Sequence, residues 1–320
     1  MKKFNKIVVI CLSVMLLVSF TACSASNKGA ESEADKLTKT LNFGAIGSVE
    51  VIPIIIADEK GYFEKEGIKV NFQSFKSAKD RDAAFQSGSL DGIICDEVAI
   101  ALYQNAGFDV KITGYTDGNF MLIANPDSGI KSINEMKGKS VAISEKTCIE
   151  YTLDTILEKN SLEPKDIQKS MVPAIPTRLE MLRTNKVNAA LLPEPFSTLA
   201  IKDGGILLGS ANDSGIYTSV TAFTQEAINS KTPEIKAFFK AYNQAVDYVN
   251  STPVSEYEDT IIKTVGYPVD MKGKIELPKF RKNILPGEAD IKSVLDWAAK
   301  NNLLKKELNP KDLTSNIGID

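Results

Sequence analysis

Acidic side chains follow the ends of two apolar segments of this chain, in positions where they can bind a small polar molecule. Asp96 and Glu97 come directly after an apolar run, and Glu194 stands between two prolines after a second run. Carboxylates accept hydrogen bonds from an amine, from the N–H of a ring or from a hydroxyl. A pair of opposed carboxylates can also supply the acid and the base of glycoside hydrolysis. These residues therefore leave two classes open, a binding protein and a carboxylate-based surface hydrolase with Asp96 or Glu97 opposite Glu194.

Hydroxyl groups and backbone N–H groups at predicted helix starts add hydrogen-bond donors to this set. Ser144 and Thr147 precede a helix predicted over residues 147–159, and the glycine and serine of residues 47–49 precede another. The free N–H groups and the dipole of a helix start favour an anionic or electron-rich ligand atom. The predicted ligand-binding residues are Gly47, Ser48, Val49, Ser77, Asp96, Glu97, Asn119, Ser144, Thr147, Cys148, Glu194 and Tyr217.

Helix capping explains several of the same residues without any ligand. Ser48, Ser77 and Thr147 each precede a predicted helix, where a hydroxyl accepts a hydrogen bond from a free backbone N–H. Asp96 or Glu97 in a first helical turn complements the helix dipole. The sequence leaves both interpretations open for these five residues.

The composition excludes several kinds of catalytic and metal site. The chain of 320 residues contains no histidine, which removes Ser-His-Asp and Cys-His catalysis and most zinc, copper and haem ligation. Its four cysteines show no C-x-x-C spacing, so neither a zinc site nor a disulfide framework is expected. The net charge is −3 with interspersed signs, so no nucleic-acid partner is expected. We expect no cofactor and no metal.

The start of the chain has the pattern of an export signal. Three lysines precede an apolar run over residues 7–20, which ends in small residues and Cys23. The pattern resembles a bacterial lipoprotein signal, so residues 1–22 are predicted to be removed and Cys23 to be lipidated. The polar residues 23–39 are predicted to form a flexible tether to the outer face of the cytoplasmic membrane. An ordinary signal peptide with a chance cysteine is the alternative.

Strand and helix patterns alternate through the rest of the chain, which indicates an α/β protein with a parallel or mixed sheet. Helices are predicted between the strands and through most of the last third of the chain. The predicted strands cover residues 41–46, 68–75, 90–95, 110–115, 120–124, 141–144, 171–173, 187–192 and 219–223.

Two segments of the chain align with each other without a gap. Residues 81–97 and residues 178–194 both begin with an arginine and continue through a helix, a tight turn, an apolar strand and a glutamate. Common α/β geometry can also produce such a match. A true repeat would mean two similar lobes of about 80–100 residues each, within the usual range of domain sizes. Because ligands bind beyond the carboxyl ends of strands in such sheets, the facing strand ends would form a cleft.

Several phrases of the sequence resemble one protein family. The segment 61–68, Gly-Tyr-Phe-Glu-Lys-Glu-Gly-Ile, is similar to the opening of the nitrate, taurine and alkanesulfonate group of ABC-transporter substrate-binding proteins, which includes binders of thiamine-pyrimidine precursors. Residues 88–92, 133–144 and 192–195 resemble later motifs of that group in the same order. The resemblance covers roughly residues 40–300.

The resemblance implies a type II periplasmic-binding-protein fold, in which the chain crosses between two lobes twice. Lobe one would comprise residues 40–117 plus 219–320, and lobe two residues 118–218. The protein would bind a small-molecule ligand as a monomer and deliver it to permease subunits powered by a cytosolic ATPase, without catalysis. The enzyme branch of the family uses a histidine, which this chain lacks.

The charges of the predicted site give an expectation for the ligand. Apart from Arg178 and Lys146 the site is short of basic residues, which disfavours nitrate. Three candidate acids favour a ligand with amino or N–H groups, such as a pyrimidine or an amine-bearing acid.

Overall fold

The structure is a computed structural model that describes residues 39–319. The predicted signal segment, Cys23 and all but the last residue of the predicted tether lie outside the described residues. None of the helices in this part of the chain combines the length and the apolar character that crossing a bilayer requires.

Ten strands form two five-stranded sheets within the described residues. They are β1 (Thr40–Ile46), β2 (Lys69–Phe75), β3 (Gly92–Asp96), β4 (Val110–Tyr115), β5 (Phe120–Ala124), β6 (Ser140–Ile143), β7 (Gln168–Met171), β8 (Ala189–Pro193), β9 (Ile206–Ser210) and β10 (Ser219–Thr224). The order in the first sheet is β2-β1-β3-β10-β4, and the order in the second is β7-β6-β8-β5-β9. One strand of each sheet, β10 or β5, runs antiparallel to both of its neighbours. The fold is thus mixed α/β, as predicted.

The chain passes from one sheet to the other twice. The first passage lies between Tyr115 and Phe120, and the second between Ser210 and Ser219. The predicted lobe boundaries fall in or next to these passages, and the division into two lobes stays a prediction.

Eleven α-helices cover the faces of the sheets in the described part of the chain. They are α1 (Ile52–Glu59), α2 (Tyr62–Lys65), α3 (Ala78–Gln86), α4 (Glu97–Asn105), α5 (Cys148–Lys159), α6 (Ile175–Arg183), α7 (Phe196–Lys202), α8 (Gln225–Ser230), α9 (Thr232–Ser251), α10 (Glu258–Val265) and α11 (Glu288–Lys300).

Buried apolar side chains join each sheet to helices on both faces. Phe43 of β1, Phe223 of β10 and Phe238 of α9 pack on one face of the first sheet, with ring centroids 4.9 to 5.9 Å apart. The second sheet packs against α5 and α11 on one face and against α6 and α7 on the other. Because α11 also packs on α4, it touches the helices of both sheets.

Most predicted strands are observed within one or two residues of their predicted bounds. The strand predicted at 171–173 is instead β7, which ends at Met171. Beyond it Pro173 has no N–H to donate to a ladder. The sequence does not predict β9, because its five residues hold only three apolar side chains before a glycine.

The predicted repeat is present in the structure. When Arg81 is aligned with Arg178, α3 begins and ends at the residues aligned with the two ends of α6. The strands β3 and β8 correspond in the same way. Both arginines are buried, and each donates from Nη1 to a carbonyl of the following strand, Ile94 at 3.0 Å and Leu191 at 2.6 Å. The same side chain therefore ties the same helix to the same strand in both halves.

Replacing either arginine by methionine is expected to lower the free energy of unfolding by about 1–3 kcal/mol, since buried carbonyls lose their donor. Chemical denaturation of Arg81→Met and Arg178→Met would measure this. Arg183→Met removes an exposed partner of Asp203 and serves as the control, with an expected change within about 0.5 kcal/mol. Equal stability of Arg178→Met and the control would contradict the tying role.

Candidate functional site

The carboxyl ends of the parallel strands of the two sheets face each other, and we call the contact between them the seam. A wall of short chain segments divides the seam, with an inner cavity on one side and an outer groove on the other. The inner cavity is lined by residues that include Ser48, Glu50, Arg81, Asp96, Phe120, Ser144, Thr147, Cys148, Arg178 and Pro193. The outer groove is lined by residues that include Val49, Asn119, Met121, Glu194, Leu207, Tyr267, Met271 and Ile275.

Neighbouring residues of the wall face opposite sides. Ser48 and Glu50 face the inner cavity, whereas Val49 between them faces the outer groove. In the same way, Pro193 faces the inner cavity and Glu194 faces the outer groove. The two cavities are therefore separated by three short chain segments, at residues 48–50, 119–121 and 193–194.

The two cavities differ in size. The inner cavity has a volume of about 50 Å³, whereas the outer groove has about 480 Å³. The inner cavity has room for a few water molecules in this structure. Small-molecule sites typically measure about 300–1,000 Å³, a range that includes the outer groove.

One carboxylate oxygen joins the two sheets across the inner cavity. Asp96 Oδ1 accepts from the backbone N–H of Ala99 at 3.0 Å, which caps α4, and from the N–H of Cys148 at 3.2 Å, which opens α5. Asp96 is the last residue of the first sheet's β3, and α5 packs on the second sheet. Burial raises the pKa of Asp96 above its usual value. Asp96 therefore caps α4, one of the two roles that the sequence leaves open, and it also accepts a hydrogen bond from the first residue of α5, a helix that packs on the other sheet.

Arg178 brings a buried positive charge to the inner cavity. Its Nη2 donates to Ser144 Oγ at 2.7 Å and its Nε to the carbonyl of Val172 at 3.1 Å. Among residues 39–319 no carboxylate lies within 4.0 Å of its guanidinium. Burial lowers the pKa of Arg178 to about 10, so the group stays charged at neutral pH.

Two charged residues of the inner cavity are absent from the predicted site. Glu50 accepts hydrogen bonds from Ser48 Oγ at 3.1 Å and Thr116 Oγ1 at 2.7 Å, and burial raises its pKa. Arg81 contacts Asp82 at 2.7 Å. The internal alignment of the sequence begins at Arg81, and this alignment could have indicated that Arg81 belongs to the site. Glu50 lies beside two predicted residues but carries no pattern of its own.

The predicted hydroxyl residues divide between capping and the cavity. Ser77 caps α3 by accepting from Asp80 N at 3.2 Å and lines neither cavity. Thr147 caps α5 by accepting from Ile149 N at 3.2 Å and also lines the inner cavity. Ser48 makes no capping bond to the helical turn that follows it. Gly47 lies at the end of β1, where its N–H donates to the carbonyl of Phe75 at 3.4 Å, outside both cavities.

Glu97 is buried without a partner. It is 1% exposed, and neither carboxylate oxygen has a hydrogen-bond donor among the described residues. Burial, and then the charges of Asp290 and Asp96, raise the pKa of Glu97 well above its usual value. An isolated carboxylate in such a place takes up a proton, because burying its charge is costly. Glu97 lines neither cavity, so its ligand-binding role stays a prediction without a cavity to serve it.

A long segment, residues 266–287, whose one regular element is the short 3-10 helix Val269–Met271, supplies one wall of the outer groove. Its Phe280 exchanges two hydrogen bonds with the Asn250 side chain, at 2.8 and 3.0 Å. Its Arg281 pairs with Asp117 of the first passage at 2.6 Å. Segments of this length inside a compact protein commonly have a functional role. The sequence shows no periodicity here, so this wall was missed.

Residues of both passages meet at Arg281. Its guanidinium lies 4.2 Å from the ring centre of Tyr115 and 5.7 Å from that of Tyr217. Tyr217 is therefore placed on the passage and lines neither cavity. Asn119, also on a passage, lines the outer groove and accepts from the N–H of Asn212 at 3.1 Å.

The predicted carboxylate pair of a hydrolase does not meet across one cavity. Asp96 lines the inner cavity and Glu194 lines the outer groove, while Glu97 lines neither. Among residues 39–319 no group of three possible ligands is placed to hold a metal ion.

Two sheets that are joined by two passages, with a cleft between them, are typical of the periplasmic-binding-protein fold. The family model described as NMT1/THI5 like matches residues 48–256. The chain belongs to this NMT1/THI5-like family.

Relatives and solved structures agree with this assignment. A Bacillus subtilis (strain 168) protein, provisionally named as aliphatic sulfonates-binding, is 24% identical over 93% of this chain and 96% of its own length. The alkanesulfonate-binding protein SsuA of Xanthomonas axonopodis pv. citri superposes with a TM-score of 0.72 at 18% identity, over 86% of this chain and 98% of that one. The nitrate-binding protein NrtA of Synechocystis PCC 6803 gives 0.65 at 15% identity, over 85% and 84%. These proteins are named as binding proteins, which agrees with the prediction of a chain without catalysis.

Replacing Glu97 by glutamine is expected to stabilise the protein in a pH-dependent way. Because the folded-state pKa of Glu97 is raised, its contribution to stability is complete below about pH 4.5 and is lost as the pH rises toward the folded-state pKa. Between pH 4.5 and the folded-state pKa, the free energy of unfolding of the wild type falls by about 1.4 kcal/mol per pH unit. That of Glu97→Gln does not show this fall. The difference in melting temperature, measured from pH 4 to 8, should therefore grow with pH. Glu145→Gln, at an exposed position, is the control, and a constant difference for Glu97→Gln would contradict the buried acid.

Proposed function

We propose that this protein is the extracytoplasmic solute-binding subunit of an ABC importer, and that it delivers a small polar organic molecule unchanged to a permease. Family membership and the fold support a solute-binding role. The observation that carries the proposal is the outer groove, because Val49 after β1, Glu194 after β8 and residues of both passages line a cavity of about 480 Å³. Sites for small molecules occur preferentially at such interfaces.

In this proposal the predicted residues act on two sides of the wall. Val49, Asn119 and Glu194 contact the solute in the outer groove, which their lining positions support. The residues of the inner cavity form the seam that closes when the solute is held. They are Ser48, Asp96, Ser144, Thr147 and Cys148.

The binding cycle is proposed to be a hinge motion of two lobes, residues 40–117 plus 219–320 and residues 118–218. The two passages would be the hinges, since every other link between the sheets is non-covalent. Opening would separate Asp96 from the N–H of Cys148 and the ion pair of Lys202 with Asp270. The hydrogen bond between Trp297 of α11 and Asp154 of α5, at 3.1 Å, lies behind the seam and would shift with the hinge.

The proposed partners follow from the resemblance and the predicted lipid anchor. Lipidated Cys23 would hold the protein on the outer face of the cytoplasmic membrane, and residues 23–39 would let a monomer reach the permease and its cytosolic ATPase. Each buried methylene of an acyl chain contributes about 0.8 kcal/mol to anchoring.

Full-length protein extracted in mild detergent should carry its solute through purification, detectable by mass spectrometry after denaturation. Returning the identified solute at 100 times its Kd should stabilise the protein by about 2.7 kcal/mol and raise its melting temperature. A protein that carries nothing, and that no metabolite of a broad panel stabilises, would remove the proposal. Turnover of the solute would point back to an enzyme.

Cys23→Ala is expected to release the protein from the membrane fraction, because no thioether-linked lipid can form. Fractionation of cells and the mass of the mature N-terminal peptide measure this. Cys11→Ala lies in the same predicted signal and should leave anchoring unchanged. Membrane retention of Cys23→Ala would contradict anchoring through this cysteine, and a wild type that is itself released without a lipid would favour the ordinary signal peptide.

A further inference from the structure

The outer groove contains one carboxylate with no opposing charge. Glu194 is half-buried, and its Oε2 accepts only the backbone N–H of Thr198, at 3.3 Å. Among residues 39–319 no lysine or arginine nitrogen lies within 4.0 Å of it. Tyr267 on the opposite wall feels this charge, since burial and then Glu194 raise the pKa of its hydroxyl.

The other charged residues that line the groove are either paired or exposed. Asp117 is paired with Arg281 at 2.6 Å. Lys274 and Glu276 are both exposed at the rim. Among the described lining residues, Glu194 is therefore the one half-buried charge that no ion pair neutralises.

The basic side chains that could hold an anion lie on the wrong side of the wall. Arg81 and Arg178 line the inner cavity, and both are already bonded to backbone carbonyls. In the outer groove only Lys274 carries an unpaired positive charge among the described lining residues, and it is exposed. An anionic headgroup in this groove would find no buried cation and would face Glu194.

Apolar side chains line the groove on both sides as well. Val49, Met271, Ile275 and Leu277 line it from one half of the chain, and Met121 and Leu207 from the other. These side chains suit a hydrocarbon or ring surface, because burying apolar area is favourable.

We propose that the solute of this groove has a positively charged nitrogen, recognised by Glu194, on an apolar body. This inference rests on the function proposed above and gives its ligand class. It differs from the sulfonate group for which two of the similar proteins are named.

Three probes that share a butyl chain test the sign of the charge: n-butylammonium, butan-1-ol and butane-1-sulfonate. We expect the full-length protein to bind the ammonium at least tenfold more tightly than the sulfonate in calorimetric titrations at millimolar concentrations. Glu194→Gln should weaken ammonium binding at least tenfold, about 1.4 kcal/mol, and leave butanol binding unchanged. Glu180→Gln removes the same charge from an exposed position on α6 outside the groove, and should behave as the wild type.

Each other outcome has a distinct meaning. Tighter binding of the sulfonate, or an unchanged ammonium preference in Glu194→Gln at wild-type melting temperature, overturns the ligand class. A copurified natural solute that is an anion without a cationic nitrogen overturns the class as well, but leaves the transport function standing. If neither a natural solute nor any probe binds, both proposals fail.

Discussion

Each sheet of this protein is completed by a strand that arrives from the other sheet. β5 follows β4 but pairs with β8 and β9, and β10 follows β9 but pairs with β3 and β4. The exchanged strands begin at the carboxyl ends of their neighbours, with Phe120 beside Pro193 and Ser219 beside Asp96. Ladder hydrogen bonds therefore fix both ends of both passages, and the carboxyl edges of the two sheets must face each other. The seam, the wall and both cavities follow from this constraint.

The wall of the seam turns an alternation of side chains into two different chemistries. Successive side chains of an extended segment point to opposite sides. At residues 48–50, where a turn of 3-10 helix begins at Val49, a hydroxyl and a carboxylate also face inward and Val49 faces outward. The alternation around Phe120 separates a small cavity, where buried charged groups lie among apolar side chains, from a larger groove lined by both polar and apolar side chains. One position along the chain thus decides which of the two cavities a residue lines.

Local patterns predicted the elements of this fold, but only part of its site. Hydrophobic periodicity gave most strands and helices, and the aligned segments 81–97 and 178–194 correctly predicted a repeat. The rule that sites form beyond the carboxyl ends of strands correctly placed Ser48, Asp96 and Glu194 near the seam. The sequence could not say on which side of the wall each would lie, because that depends on the register between the two sheets. It also missed Arg281. The segment that contains Arg281 shows no hydrophobic periodicity, and hydrogen bonds from residues distant in the sequence hold it in place.

The charges buried in the seam bear on how a loaded and an empty protein would differ. Asp96 and Arg178 are at most 4% exposed here, and neither has an oppositely charged partner across the seam. Burying such groups costs free energy that water would otherwise supply, so the closed seam is opposed by desolvation. If the lobes open as proposed, these groups regain water, and contacts of a solute in the outer groove must offset the cost of closing again. A purely apolar seam would close with or without a solute, because burial of apolar area alone would hold it shut. Buried charges in the seam would instead make closure depend on the solute, which is the property that a permease would need to distinguish the loaded form proposed above.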